Sequence, residues 1–528
     1  MKWSLGLFVK NEMIVYLNNL IHKHFLAIVF ALFIGAIMVG PQLLFIYSSG
    51  SDYRGIYMAN TDAEYHYMAR MQEAVDNGGL GNPFIYENKT GVPSTIYTIS
   101  ETILAWPAKI FNFSIPNLNL FYKFLLPVII GLLIYSFVFR LIDSRMWSVA
   151  AMFAVLFGST LLSFPDIIHF LHWDQVYGSF AIYSRPINPE VSSIIFFVYL
   201  HLLLSALNKK TWAIFTFLGV ILGLSFYIYF YSYTFFLALN AVLLIMNLIS
   251  KKYDIVLKIA GATSLGIGIG LWSIMNTIAI YTHPNYKFMA ELIDVASTHH
   301  PIFSVFGLLT LVVLILFSWH NREKNNLLFL WSLLITSFIV INQQVITGIL
   351  LQEGHYHWYF NVPIFIFVFI FVLYYLVNNK PRWSFGLAVT ICIISTASTF
   401  QIQSSSYHMN FSEATNNQRY GMVISWLNEN TSKESVVFAD NYLSQLIPAY
   451  TGANVVWEDH AAFYLVSPER RLFNPTTLLA KQDFKKALSE YRVDYFIWDI
   501  KKEPEWRLNK YSFLKQLYGD DDFRIYGF

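Results

Sequence analysis

The sequence predicts a polytopic α-helical membrane protein of about eleven transmembrane helices, with a structured first outer loop and a small C-terminal extracytoplasmic α/β domain. Three observations predict it. Hydrophobic residues fill 56% of 528 positions and charged ones only 13%, more apolar content than one water-soluble core holds at this size. Apolar runs long enough to cross roughly 30 Å of hydrocarbon recur through the first 402 residues. Beyond them the composition becomes that of a soluble domain, so the chain divides into 1–402, a transmembrane domain including the outer loop 49–117, and 403–528.

The runs fall near residues 24–48, 118–140, 146–164, 190–207, 211–229, 231–250, 255–280, 302–319, 327–350, 359–378 and 383–402. Lys2, Lys10 and Lys23 precede the first with no clear cleavage site, so it reads as an uncleaved signal-anchor. Basic residues cluster in alternate short loops: Arg140 and Arg145, Lys209 and Lys210, Lys251 and Lys252, Arg322 and Lys324, Lys380 and Arg382. By the positive-inside rule those loops and the N-terminus are cytoplasmic. Segments 49–117, 165–189, 281–301, 351–358 and everything after 402 then lie outside, in a cytoplasmic membrane.

The first outer loop is too long for a tight connection. Asp62, His66, Arg70 and Glu73 recur at helical spacing as one polar face, with a stop at Asn77-Gly78-Gly79, and Ile96–Phe111, with Trp106, is amphipathic as for a helix lying in the interface. After 402, expected helices at Gly421–Asn430, Leu443–Tyr450 and Phe484–Tyr491 alternate with strands at Val436–Ala439, Val455–Trp457 and Asp494–Ile500, the pattern of a mostly parallel sheet.

Composition also excludes. A net charge of +2 gives no reason to expect nucleic acid, and the single Cys392 forbids an internal disulfide. No phosphate loop, dinucleotide fingerprint or cysteine metal site is present. No cofactor is expected, and nothing calls for a divalent metal.

The leading site is Thr61-Asp62-Ala63-Glu64-Tyr65-His66. Acidic groups just past a first membrane crossing must be hydrated, paired or used. Thr61 and Glu64 also match a capping box, and a capped helix would hold Asp62 rigidly. Outer-side groups able to bind an anion are Arg70, Arg185, Lys287, the pair His299-His300, and His355 with His357, two histidines that would ligate a metal only if a carboxylate joined them. Segment 165–189, with His169, His172, Trp173, Asp174 and Arg185, suits a pocket wall. Asn342-Gln343-Gln344 within an apolar run faces either a cavity or a neighbouring helix.

A large first outer loop opening on this motif, followed by Arg70, many spans and an outer α/β domain, resembles the GT-C superfamily of membrane glycosyltransferases. Trp426-Leu427-x-Glu429-Asn430-Thr431 and Ile447-Pro448-Ala449-Tyr450-Thr451-Gly452 are similar to uncharacterised bacterial members. The Trp-Trp-Asp motif of oligosaccharyltransferases is replaced by Trp457-Glu458-Asp459-His460, which argues against protein N-glycosylation. The resemblance implies an inverting transferase that takes a sugar from a polyprenyl-phosphate donor to a glycan, lipid or protein acceptor. Asp62 is then the base, oriented by Glu64 or His66; Arg185, with Arg70, Asp174, Lys287, His299, His300, His355 and His357 as further candidates, binds substrate. The alternative is a non-catalytic scaffold or a lipid-linked polysaccharide transporter with a glycan-binding outer domain.

Overall fold

The computed structural model describes residues 2–59, 64–79, 81–173, 177–293, 295–321, 326–471, 479 and 491–528. Among these, eight helices are long and apolar enough to span a membrane: His22–Asp52, Ile115–Ile142, Glu190–Lys209, Phe230–Ile249, Tyr253–Tyr281, Leu327–Thr347, Glu353–Val377 and Pro381–Asn430. Three shorter apolar helices, Arg145–Phe157, Trp212–Ser225 and Val305–His320, take the remaining predicted positions. Lipid offers no hydrophobic force between helices, so close packing needs small residues at the contact. Trp212–Ser225 and Tyr253–Tyr281 meet in this way: a Cβ on Gly219 would lie 2.6 Å from the Ala262 carbonyl oxygen. The last span continues as one helix, Pro381–Asn416, through residue 402.

In the first loop, helix Glu64–Asn77 ends on Gly78 and Gly79, whose φ values of +84° and +80° suit glycine alone. Its polar face is covered rather than solvated. His66, Arg70 and Glu73 are all buried, because the C-terminal domain and helix Ile99–Phe111 cover that side. Ile99–Phe111 turns Ser100, Glu101, Leu104 and Ala108 inward and leaves Ile103, Trp106, Ile110 and Phe111 exposed. The apolar outer face is what an interfacial helix presents to lipid.

Helices Tyr420–Asn430 and Asn441–Tyr450 flank a five-stranded sheet, ordered Asn454–Val455, Val436–Phe438, Tyr495–Asp499, Phe523–Gly527, Lys515–Gly519. The first three strands are parallel, and the last two pair antiparallel, so the sheet is mixed rather than mostly parallel. Asp440 caps Asn441–Tyr450, its Oδ1 accepting from the Tyr442 amide at 3.0 Å. The helix expected over Phe484–Tyr491 falls, Tyr491 apart, outside the described residues.

The domain sits on the first loop. Helix Asn441–Tyr450 packs on Glu64–Asn77, the Val455 amide donates to the Phe84 carbonyl at 2.8 Å, and Arg470 pairs with Glu87 at 2.9 Å. The two segments therefore occupy the same end of the bundle.

Candidate active site

Glu64 opens the first-loop helix and is buried. Its Oε1 is ion-paired with Lys123 Nζ at 2.7 Å and accepts from Asn119 Nδ2 at 2.7 Å and Tyr57 OH at 2.9 Å. Lys123 and Asn119 lie in span Ile115–Ile142, so this cluster ties the start of the loop helix to the bundle. This pairing anchors Glu64 to the bundle, and Glu64 does not line the nearby cavity. Glu190 is also fully buried, and neither of its carboxylate oxygens has a hydrogen-bond partner among the described residues. Asp62 precedes Glu64 by two positions and lies outside the described residues, as does Asp174.

One turn along, the helix reaches a cavity of about 390 Å³ between the bundle, the first loop and the C-terminal domain. His66, Tyr67, Arg70, Arg185, His355 and His460 are among its walls. Arg70 and Arg185 lie against the same ring, their guanidinium carbons 5.6 and 5.8 Å from the centre of Tyr67. Arg70 is ion-paired to Glu101 and donates to the Tyr97 carbonyl at 3.2 Å. Burial pushes the Glu101 carboxyl up, and Arg70 opposes that shift. Arg185 donates to Asn188 O at 2.8 Å and to Tyr359 OH at 2.7 Å. His355 is hydrogen-bonded to Tyr229 and packs against the rings of Tyr231 and Tyr359.

The opposite wall comes from the C-terminal domain. His66 Nε2 shares a hydrogen bond of 2.8 Å with Tyr464 OH, and its ring lies 5.0 Å from that of His460. Burial, then the charges of Arg70 and His460, hold His66 well below the usual imidazole range, which makes it a neutral group near pH 7.

Of the residues singled out in the sequence, the cavity unites His66, Arg70, Arg185 and His355. The others stand elsewhere. Lys287 is exposed on the short helix Tyr286–Leu292, and His299 and His300 are exposed beside a two-residue strand pair, His299 Nδ1 lying 3.1 Å from the Val345 carbonyl. His357 packs edge-on against Trp358. His169 and His172 belong to helix Phe164–His172, outside the cavity wall. Asn342 and Gln344 brace a loop rather than a cavity: Asn342 bonds both backbone groups of Ile302, and Gln344 donates to the His300 carbonyl at 3.0 Å. Among the described residues no group of three or more His, Cys, Asp or Glu side chains could hold a metal ion.

No protein-family model matches the chain. No curated protein matches it in sequence either. Solved structures do resemble it. ArnT from Cupriavidus metallidurans bound to undecaprenyl phosphate aligns over 93% of this chain and 97% of its own, at 11% identity and a TM-score of 0.50. The apo form of the same protein aligns over 92% and 97%, at 11% identity and a TM-score of 0.51. The Archaeoglobus fulgidus oligosaccharyltransferase tethered to an acceptor peptide aligns over 91% of this chain and 70% of its own, at 13% identity and a TM-score of 0.44. The chain has the fold of the GT-C glycosyltransferases.

Proposed function

We propose that the chain is an inverting glycosyltransferase, moving a sugar from a polyprenyl-phosphate donor to an extracytoplasmic acceptor. The observation that carries this reading is the pairing of Arg70 and Arg185 on one tyrosine ring inside an aromatic cavity of about 390 Å³. Aromatic walls accept sugar faces, and a guanidinium engages two phosphate oxygens at once. The shared fold of a protein solved with undecaprenyl phosphate supports the same donor class.

Arg185 lines the cavity beside Tyr67 and Tyr359, and we assign it to the donor phosphate. Asp62, just ahead of the anchored Glu64, takes the acceptor's proton as its oxygen bonds to the anomeric carbon. The bond from that carbon to the phosphate oxygen breaks with its electron pair on phosphate, where Arg185 stabilises the charge. The positive-inside pattern puts the N-terminus in the cytoplasm and both the first loop and the C-terminal domain outside.

Purified full-length chain in nanodiscs tests the reading. It should bind undecaprenyl phosphate, and Arg185→Ala should weaken that binding at least about tenfold, with Arg185→Lys intermediate because a lone ammonium lacks the planar fork. Equal affinity in wild type and Arg185→Ala would return Arg185 to a structural role. The alternative, a scaffold or transporter, would bind lipid without breaking the sugar–phosphate bond.

A further inference from the structure

Arg70 reaches the cavity from the first-loop helix with part of its guanidinium still open. A guanidinium presents five N–H donors in one rigid plane. Nη2 meets Glu101 and donates to the Tyr97 carbonyl at 3.2 Å. Nε is buried with no hydrogen-bond partner among the described residues. Nη1 makes no bond among them either, and it is not enclosed as Nε is. Glu101 is wholly buried and does not line the cavity, so it holds the cation from behind. A buried cation with donors left over calls for a further partner.

Arg185 stands against the same Tyr67 ring but is tied to other parts of the molecule, the Asn188 carbonyl and the Tyr359 hydroxyl. The two guanidiniums therefore enter from different walls, one from the first loop and one from the bundle. Among the described residues the walls hold these two arginines and three histidines, and no Asp, Glu or Lys. A cleft lined by one sign of charge concentrates ligands of the other. A neutral sugar joined to polyprenol through one phosphate carries a single negative charge. The transferase reading gives that charge to Arg185, and the open donors of Arg70 are not met by it.

We propose that Arg70 binds a second anionic group of the donor, so that the cavity takes a doubly charged lipid-linked sugar. This rests on the transferase reading. Such a group is either the second phosphate of a diphosphate linkage or a carboxylate on the sugar ring. Nη1 donates to an oxygen of that group in a charge-assisted bond, while Glu101 and the Tyr97 carbonyl hold the guanidinium plane in place. Arg70 is a substrate-binding residue and takes no part in proton transfer.

Three lipids test the proposal with full-length chain in nanodiscs: undecaprenyl-phosphate glucose, undecaprenyl-diphosphate glucose and undecaprenyl-phosphate glucuronic acid. Wild type should bind one of the two doubly charged lipids at least about tenfold more tightly than undecaprenyl-phosphate glucose. Preference for the diphosphate puts the second anion on the lipid side, preference for the glucuronic acid puts it on the sugar, and either supports the assignment. Arg70→Gln should bring the affinities to within about twofold of one another, with binding of undecaprenyl-phosphate glucose weakened by no more than about tenfold. Combining Arg70→Gln with Glu101→Gln should give the same result without a stranded carboxylate, which separates recognition from folding. Equal affinity of wild type for all three lipids overturns the proposal, and so does a preference that survives in the double variant. Both results leave the transferase reading standing. A wild type that binds none of the three lipids overturns that reading as well.

Discussion

Two buried ion pairs hold the first-loop helix, and they do different work. Lys123 and Glu64 meet at 2.7 Å with both side chains essentially inaccessible, and Asn119 and Tyr57 fill the same carboxylate oxygen. Arg70, further along the same helix, and Glu101, on helix Ile99–Phe111, are similarly buried, yet Arg70 forms part of the cavity wall. The difference lies in what surrounds the cation. A charge fenced on every side fixes backbone position. A charge with one face on a cavity remains able to meet a ligand. Burial of an ionised side chain therefore does not by itself mark a site, because the open side decides.

The strongest way to break this contrast is Lys123→Met. Leaving Glu64 buried without its cation should destabilise the folded chain by about 3–5 kcal/mol, the usual penalty for removing one partner of a buried pair, read as a drop in thermal midpoint in detergent. A change under about 1 kcal/mol would mean that Glu64 is hydrated and the anchor is absent.

Asp62→Asn comes next and acts on turnover instead. Asparagine caps a helix nearly as well as aspartate, so protein abundance should hold while transfer falls at least about a hundredfold. Unchanged turnover would make Asp62 a cap and nothing more.

Arg70→Met sharpens the comparison at the cavity. It strands Glu101, whose carboxyl burial already pushes up, so Glu101 should take a proton and the fold should lose less than with Lys123→Met. Undecaprenyl-phosphate binding should weaken only about three- to tenfold, less than for Arg185→Ala. An Arg70 effect exceeding that of Arg185 would exchange their roles.

The smallest effect concerns acid. His66 is held neutral when folded, while the unfolded chain takes up a proton below about pH 6.5. The unfolded state binds more protons in that window, so stability falls with acidification, by up to about 1.4 kcal/mol per pH unit for this one group. His66→Phe should flatten the corresponding part of a thermal midpoint against pH curve between pH 7 and 5. An unaltered slope would show that His66 does not carry the dependence.

Much of this was legible in the chain and some was not. Continuous apolar runs of sufficient length locate all the spans, since lipid demands them. His66, Arg70, Arg185 and His355 stood out because charge beside lipid must be used or paired. Lys123 escaped notice because it lies inside the run 118–140, where one lysine hardly lowers the hydropathy. Nothing local paired it with Glu64. His460 and Tyr464 are separated from His66 by nearly 400 positions, and no spacing rule reaches that far. Strands Lys515–Gly519 and Phe523–Gly527 were missed although Phe523-Arg524-Ile525-Tyr526 begins with a buried–open alternation and Asp520-Asp521-Asp522 marks the turn. The lysine and glutamine on the edge strand hid the signal.

The contact between His66 and Tyr464 has a consequence for the order in which the protein comes into being. The first-loop helix is made well before Tyr464 and His460, which cover His66. Arg70 and Glu73 find partners within the first loop, Glu101 and Lys89, but until the ribosome has made the C-terminal segment His66 waits with one side open, in an intermediate whose bundle is already inserted. Loss of the late segment would therefore be felt far upstream in the sequence, where His66 would have no Tyr464 ring to close over it.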